Sequence, residues 1–257
     1  MSAFRLTLAQ VHYVNKAFWR NPSRAFFTFA FPLMFLVIFT SLLGGGTELI
    51  GAVRVKQSTY YVASMGTFAV ITACYNNIAI GMSYERDMGI LKRIDGSPLP
   101  KGAFLVARVL HSLLVAVLLI VLTAAFGRLA YGANIPGGTA LLRFLLMLVI
   151  GAVAFCALGL AITAAVPNAD ASAPIVNATI LPLLFLSGIF IPFGDNTPSW
   201  VLWVARIFPV KHFGSGMLAA FVGTPFDWTD VVVVAAWGAA GMLLAARFFS
   251  WLPRTGA

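Results

Sequence analysis

Charge is what this sequence has least of. Only 10% of its 257 residues are Asp, Glu, Lys or Arg, against about 25% in soluble domains. Hydrophobic residues make up 60%, and the mean hydropathy is +0.93. This excludes the one or two soluble domains that the length alone would allow. Acid is scarcest of all, with 8 Asp and Glu against 17 Lys and Arg, a net charge of +9. In so apolar a chain the surplus reads as a positive-inside bias and an attraction to anionic headgroups, not as nucleic-acid binding. No Asp or Glu falls deep inside a long apolar run, whereas an ion-coupled path through lipid ordinarily needs an intramembrane carboxylate. This argues against the main alternative, an ion-coupled secondary multidrug carrier, and for energy supplied from outside the chain.

Chemistry-bearing side chains are also few. The two cysteines, Cys74 and Cys156, sit in apolar runs without metal or redox spacing and read as small apolar residues rather than a disulfide. His12, His111 and His212 are scattered. The sequence contains no His-Glu-x-x-His, no Gly-x-Ser-x-Gly elbow and no phosphate-binding Gly-x-x-x-x-Gly-Lys-Ser/Thr. The expectation is a chain with no catalytic residue, no metal and no cofactor of its own. Internal repeats and low-complexity tracts are missing too, so one membrane domain over 1–257 is expected.

What the sequence does have is long apolar runs. A bilayer core takes about 20 such residues, and six segments qualify or nearly do: Ala25–Leu43, Thr59–Ser83, Ala103–Phe126, Leu141–Val166, Ala173–Phe193 and Val231–Phe249. The first lacks a small-residue cleavage site and is read as an anchor that stays. With a cytoplasmic N-terminus, 11 of the 17 Lys and Arg, from Arg5 and Lys16 through Arg86–Lys101 to Arg254, fall inside. Both termini are therefore expected in the cytoplasm.

Within the segment 1–24, Phe4–Arg20 has helical periodicity, with Phe4, Leu8, Val11, Val14, Phe18 and Trp19 on one arc and Arg5, His12, Lys16 and Arg20 beside it. A basic amphipathic helix at the membrane surface is expected. Asn15 interrupts the apolar arc. Gly44–Ser58 and Gly127–Ala140 read as short outer loops. The outer segment 194–230 is longer and still apolar; Pro198 is placed to start a helix and Pro209 to stop it. Two short helices dipping into the outer leaflet are expected there, with Trp200, Trp203 and Trp228 near the headgroups. Pro174, Pro182 and Pro192 predict a kinked fifth span.

The embedded polar residues are neutral. Tyr75, Asn76 and Asn77 lie in the second span, the Asn pair roughly 10 Å from its inner end at 1.5 Å per residue. Asn177 and Thr179 lie in the fifth. Such groups either hydrogen-bond helix to helix or line a wet path.

Seven charges crowd into Tyr84–Lys101, between spans two and three. Within it Gly89–Ile94 can form a short helix, with Ile90, Leu91 and Ile94 to one side and Lys92 and Arg93 towards the other. Asp95-Gly96 and Ser97-Pro98 are turn signals. The run E-R-D-M-G-I-L-K-R-I-D-G-S-P-L-P resembles the loop of the ABC type-2 exporter permeases, Glu-Arg-x-x-Gly-x-Leu-x-x-Leu ending in Thr/Ser-Pro-Leu. R-N-P-S-R-A-F-F-T-F-A-F-P-L-M-F resembles that family's entry from interfacial helix to first span. L-S-G-I-F-I-P-F, with Pro198-Ser199-Trp200 and Phe208-Pro209, resembles its fifth-span motif and re-entrant hairpin. The sequence departs at Ile94-Asp95, where the family more often has two apolar residues.

The resemblance covers nearly the whole chain and implies an all-α integral membrane fold. Six transmembrane helices would follow an N-terminal interfacial helix, with a re-entrant hairpin between spans five and six. It further implies a bacterial cell-membrane exporter subunit that dimerises with a second copy or a paralogue and binds an ABC nucleotide-binding subunit carrying ATP and Mg. Residues 84–102 become the coupling loop, through Glu85, Arg86, Gly89, Leu91, Lys92, Arg93 and Pro98. Phe31, Phe35, Tyr75, Asn76, Asn77, Asn177 and Thr179 become candidates for a substrate path. The cargo expected is a drug, lipid or lipid-linked product, with polysaccharide as the alternative within the family.

Overall fold

Helix breakers and turn residues cut the apolar chain into the elements seen. The computed structural model describes residues 3–43, 45–50, 53–194 and 197–253. Gly44 of the expected first stop, Arg254 of the charge count and residues 1–2, 51–52, 195–196 and 255–257 lie outside the described residues. Helix α1 spans Ala3–Trp19 and α2 spans Pro22–Leu43, with Asn21 between them. The side chain of Asn21 accepts from the backbone N–H of Arg24 (3.1 Å) and so caps α2. Strands β1 (Thr47–Ile50) and β2 (Val53–Lys56) pair antiparallel, Thr47 opposite Lys56 and Ile50 opposite Val53. The short outer loop expected here is a hairpin instead. Val53 and Val55 favour the pleat, and Val55 is buried between exposed neighbours.

The next helix is continuous from Gln57 to Asp87, with a change of pitch inside it. Helix α3 (Gln57–Ile71) gives way to a π turn at Thr72–Asn76 and resumes as α4 (Asn77–Asp87). Helix α5 (Ile90–Asp95) is a single short helix before α6 (Lys101–Tyr131). Helices α7 (Thr139–Ile162), α8 (Ala169–Phe185), α9 (Ser199–Ile207), α10 (Pro209–Val222) and α11 (Trp228–Phe248) complete the chain.

Helix α3 is the hub. Every residue from Ser58 to Ile71 is buried, and α2, α6, α7 and α10 pack around it. Its Ser, Thr, Ala and Gly content explains this, because small residues let helices approach without a gap. Across it, the Cβ of any residue replacing Gly127 of α6 would stand 2.1 Å from Cγ2 of Val62. A second close seam joins α7 to α11. There a Cβ at Gly238 would meet Ala154 Cβ at 2.8 Å, and one at Gly241 would meet Leu158 N at 2.9 Å.

Among the described residues five helices are long and apolar enough to cross a membrane: α2, the 57–87 helix, α6, α7 and α11. The remaining expected span, Ala173–Phe193, is helical only to Phe185. The 17 residues of α8 reach about 25 Å at 1.5 Å per residue, short of the roughly 30 Å hydrocarbon core. The chain then turns through Gly188 at φ +78°, a conformation open to glycine. There the Tyr60 hydroxyl donates to the Gly188 carbonyl. Of the three prolines expected to kink this span, Pro174 and Pro182 lie inside α8 and Pro192 lies beyond its end.

The two short helices read from 194–230 are α9 and α10, with Pro209 at the first position of α10. Helix α10 packs on α3, α7 and α11, while Trp200, Trp203 and Trp228 stay exposed. Asp227 starts α11 by accepting from the Thr229 N–H at 2.8 Å. Hydrogen bonding from Thr229 holds the Asp227 carboxyl below the usual carboxylate range.

Candidate functional site

Two groups of side chains stand out, one around the charged loop and one inside the bundle. At the loop, α4 ends at Asp87 and Gly89 takes φ +70°, so the chain reverses into α5 within two residues. Leu91 is fully buried and Ile94 is half-buried against the core, which pins α5 in place. Met88 and Ile90 face outward, and Lys92, Arg93 and Pro98 are exposed with them. The apolar side read from the sequence is therefore split: Leu91 and Ile94 anchor, and Ile90 projects with Met88. Met88 was not singled out in the sequence. Its only signal was an apolar residue stranded among Glu85, Arg86 and Asp87. After α5, Ser97 Oγ donates to Ile94 O (2.8 Å) and accepts from Leu99 N–H (3.3 Å), closing the turn before Pro98.

The first acidic and basic residues of the loop are used internally. Arg86 is 1% exposed. Its guanidinium donates to Thr163 O (2.9 Å) and Val166 O (2.6 Å), two carbonyls just past the end of α7, the first of which also accepts from the Val166 N–H (3.2 Å). Glu85 accepts from Arg108 of α6 through both carboxylate oxygens, at 2.5 Å each. Arg108, in the third turn of α6, is thus tied to the loop. Asp87 Oδ2 accepts from Ala169 N–H (3.1 Å), and Asn168 Oδ1 from Ala171 N–H (2.9 Å), so loop and cap share the start of α8. Lys101 pairs with Asp95 across the turn.

Inside the bundle, the π turn carries one more residue per turn than an α-helix and swings Tyr75 and Asn76 towards α8. Tyr75 and Thr179 hydroxyls lie 2.8 Å apart, and Asn76 Nδ2 donates to Asn177 Oδ1 at 3.2 Å. The structure thus joins four of the seven candidate path residues into one polar seam. Asn76 Oδ1 is buried and has no hydrogen-bond partner. The α7 backbone comes close: a Cβ at Gly159 would stand 2.8 Å from Tyr75 O. Nothing in Thr-Ala-Cys-Tyr-Asn marks a π turn, since it holds neither Pro nor Gly. Against the seam lies an apolar cavity of about 450 Å³ lined by Tyr75, Thr179, Phe155, Leu183, Trp237 and Phe248, among others.

The other three candidates lie elsewhere. Phe35 is half-buried in a ring cluster with Phe39, Phe68 and Phe190, and Phe31 is exposed at 45%. Asn77 faces a separate chamber beside α1, with Arg24, Glu85, Arg108 and His111.

At the opposite end His212 of α10 is buried between Asp230 Oδ1 (2.6 Å from Nδ1) and Arg206 O (2.9 Å from Nε2). The carbonyl can only accept, so Nε2 carries a hydrogen. This pair straps α10 to α11, and sequence spacing gave no sign of it. Among the described residues no cluster of three or more His, Cys, Asp or Glu could hold a metal ion.

Comparison with known proteins agrees with this architecture. The sequence model for the family described as "ABC-2 type transporter" matches residues 6–222. "Putative transport permease YvfS" of Bacillus subtilis (strain 168) is 25% identical over 226 residues, covering 88% of this chain and 89% of that protein.

Proposed function

This chain belongs to the ABC-2 type transporter family, and from that membership we propose that it is the permease subunit of an ATP-binding-cassette exporter in the bacterial cell membrane. Membership makes it a multi-pass membrane transport subunit; the driving force, direction and cargo are our reading. Residues 22–43, 57–87, 101–131, 139–162 and 228–248 cross the membrane, and 169–193 crosses as a shorter sixth element. Helix α1 lies on the cytoplasmic surface, and α9–α10 form a re-entrant pair on the far side.

The observation that carries the reading is α5. A short helix is fixed to the bundle by buried Leu91 and leaves Met88, Ile90, Lys92 and Arg93 unspent on its outer face. Apolar knobs with cationic flanks suit a groove on a second protein. That partner is an ATP-binding subunit, which supplies the ATP and Mg this chain has no motif to bind. Closure of two such subunits pushes α5, and the push enters the bundle through Arg86 and Glu85, which are already bonded to α7 and α6.

Two permease copies, or this chain with a paralogue, enclose a path near α2 and α8. The Tyr75–Thr179 and Asn76–Asn177 pairs border that path for an amphipathic or apolar cargo, a drug, a lipid or a lipid-linked product. An ion-coupled carrier is favoured less, because Glu85 and Asp230 are each held by a basic side chain and half-buried Asp87 accepts from the Ala169 N–H.

Co-purification with the ATP-binding subunit tests the reading. Met88→Asp and Ile90→Asp, both at exposed positions, should cut recovery of the partner about tenfold or more while leaving the melting temperature of the chain unchanged. Full recovery with both variants would remove α5 as the docking element.

A further inference from the structure

The chamber beside α1 is a second polar site, of which the transport reading uses only the Glu85–Arg108 pair. Its volume is about 270 Å³, just under the roughly 300–1,000 Å³ of pockets that hold drug-sized molecules, so it suits a smaller group. Phe18, Tyr13 and Gln10 of α1 roof it, and α4 and α6 form its floor and wall. The charged groups facing it are Arg24, Arg108 and Glu85, and His111 stands beside them. Glu85 is taken up by Arg108. Arg24 makes no ion pair among the described residues, so the chamber keeps one net positive charge. Arg24 Cζ lies 5.9 Å from the Phe18 ring centroid, with the side chain exposed at the rim.

Two buried nitrogens are left without partners. His111 is 8% exposed, and its Nδ1 and Arg108 Nε have no hydrogen-bond partner. Buried polar atoms are ordinarily satisfied, so an unpaired imidazole nitrogen lining a cationic chamber points to a missing partner. An apolar groove of about 590 Å³ runs next to the chamber along α2, lined by Trp19, Ala25, Phe29, Ala30 and Leu33, among others. The two are joined through Phe18, which meets Trp19 and Phe29 edge-on at centroid distances of 5.3 and 6.3 Å. Cation-lined chamber and apolar groove thus lie side by side, as the head and tail of an amphiphile do.

We propose that this chamber binds the phosphate headgroup of an anionic membrane lipid, with an acyl chain lying in the α2 groove. Arg24 supplies the charge, and His111 Nδ1 donates in the tautomer that places its hydrogen there. Asn77 and Ser112 supply further hydrogen bonds from the floor. The site rests on the reading of α1 as a helix of the cytoplasmic leaflet, where anionic lipid is concentrated. It needs no ATP-binding subunit.

The test is native mass spectrometry of the purified chain alone in mild detergent. The probes are dioctanoyl phosphatidylglycerol, dioctanoyl phosphatidylcholine and inorganic phosphate, with melting temperature as a second readout. Phosphatidylglycerol should be retained over phosphatidylcholine, and Arg24→Gln or His111→Gln should each reduce that preference about tenfold, the worth of one charge-assisted hydrogen bond. Ala30→Trp, which fills the groove, should weaken both lipids alike. Arg143→Gln, at the far end of α7, should change nothing.

Equal loss in all four variants, or no preference for phosphatidylglycerol, means annular lipid and overturns the site. Inorganic phosphate that displaces the lipid and raises the melting temperature as much assigns the chamber to a free anion and removes the acyl groove. Because the partner subunit is left out, failure here leaves the α5 docking reading standing, and failure of docking leaves this one.

Discussion

At the residue scale, the charged loop does two jobs with side chains adjacent in sequence. Arg86 looks like a docking cation in the sequence and is instead a strap, its guanidinium spanning the Thr163 and Val166 carbonyls. Arg86→Met removes two charge-assisted hydrogen bonds in a buried place and should cost about 2–3 kcal/mol, seen as a lower midpoint in thermal or SDS unfolding. Arg86→Lys should recover little of this, because an ammonium is a point donor and cannot fork across two oxygens. Composition cannot separate these roles: Arg86 and Arg93 are the same residue type in the same loop, and only the turn at Gly89 sends one inward and the other out. Asn15 shows the opposite case. It weakens the apolar arc of α1 on paper, yet its Oδ1 accepts from Trp19 Nε1 at 3.2 Å one turn away, so the interruption is local hydrogen bonding.

At the element scale, glycine seams set how closely the helices meet. Gly241→Leu places a side chain against the α7 backbone and should lower stability by about 1–3 kcal/mol. Gly45→Ala, with nothing within 4 Å, should be near neutral. Gly159→Leu should act on the π turn itself, because Tyr75 O is backbone and cannot swing aside; loss of the Tyr75–Thr179 contact can be followed by cysteine cross-linking between the two positions. The long elements were legible because apolar length is a strong signal: α2, α6, α7 and α11 fall on the runs read from the sequence. The end of α8 was not, since the apolar run continues past Phe185 to Phe193, whereas the helix is capped at Leu186 and the chain turns at Gly188 (φ +78°). The β-hairpin was hidden because Thr47–Lys56 is too short and mixed to separate from a loop. Of the polar candidates, spacing gave the residue types, but only the π turn decided that Tyr75 and Asn76 meet α8 while Asn77 turns away.

At the scale of the whole molecule, the loop between α4 and α6 and the segment after α6 lie at opposite ends of α6. A cysteine at exposed Ser97 should react with an impermeant thiol reagent only in inside-out vesicles, and one at exposed Ile135 only in right-side-out cells. The native Cys74 and Cys156 are buried and should stay silent in both. Labelling of position 97 from outside the cell would invert the molecule and end the docking proposal. The bias of Lys and Arg is what the sequence offers for this orientation, while α8, the chamber beside α1 and the His212–Asp230 strap depend on side chains far apart in the chain.

The π turn at Thr72–Asn76 has a mechanical consequence. A helix advances about 100° per residue, so the additional residue in that turn acts as a phase shifter between the upper and lower halves of one long rod. Were it rewound into regular α-helix with no residue removed, the lower half would rotate by about that angle against its surroundings. Glu85 would leave Arg108 and Arg86 would lose its two carbonyls together. The rod is therefore a natural torsion element, and winding or unwinding one turn near its middle is enough to engage or release every contact that α4 makes below it.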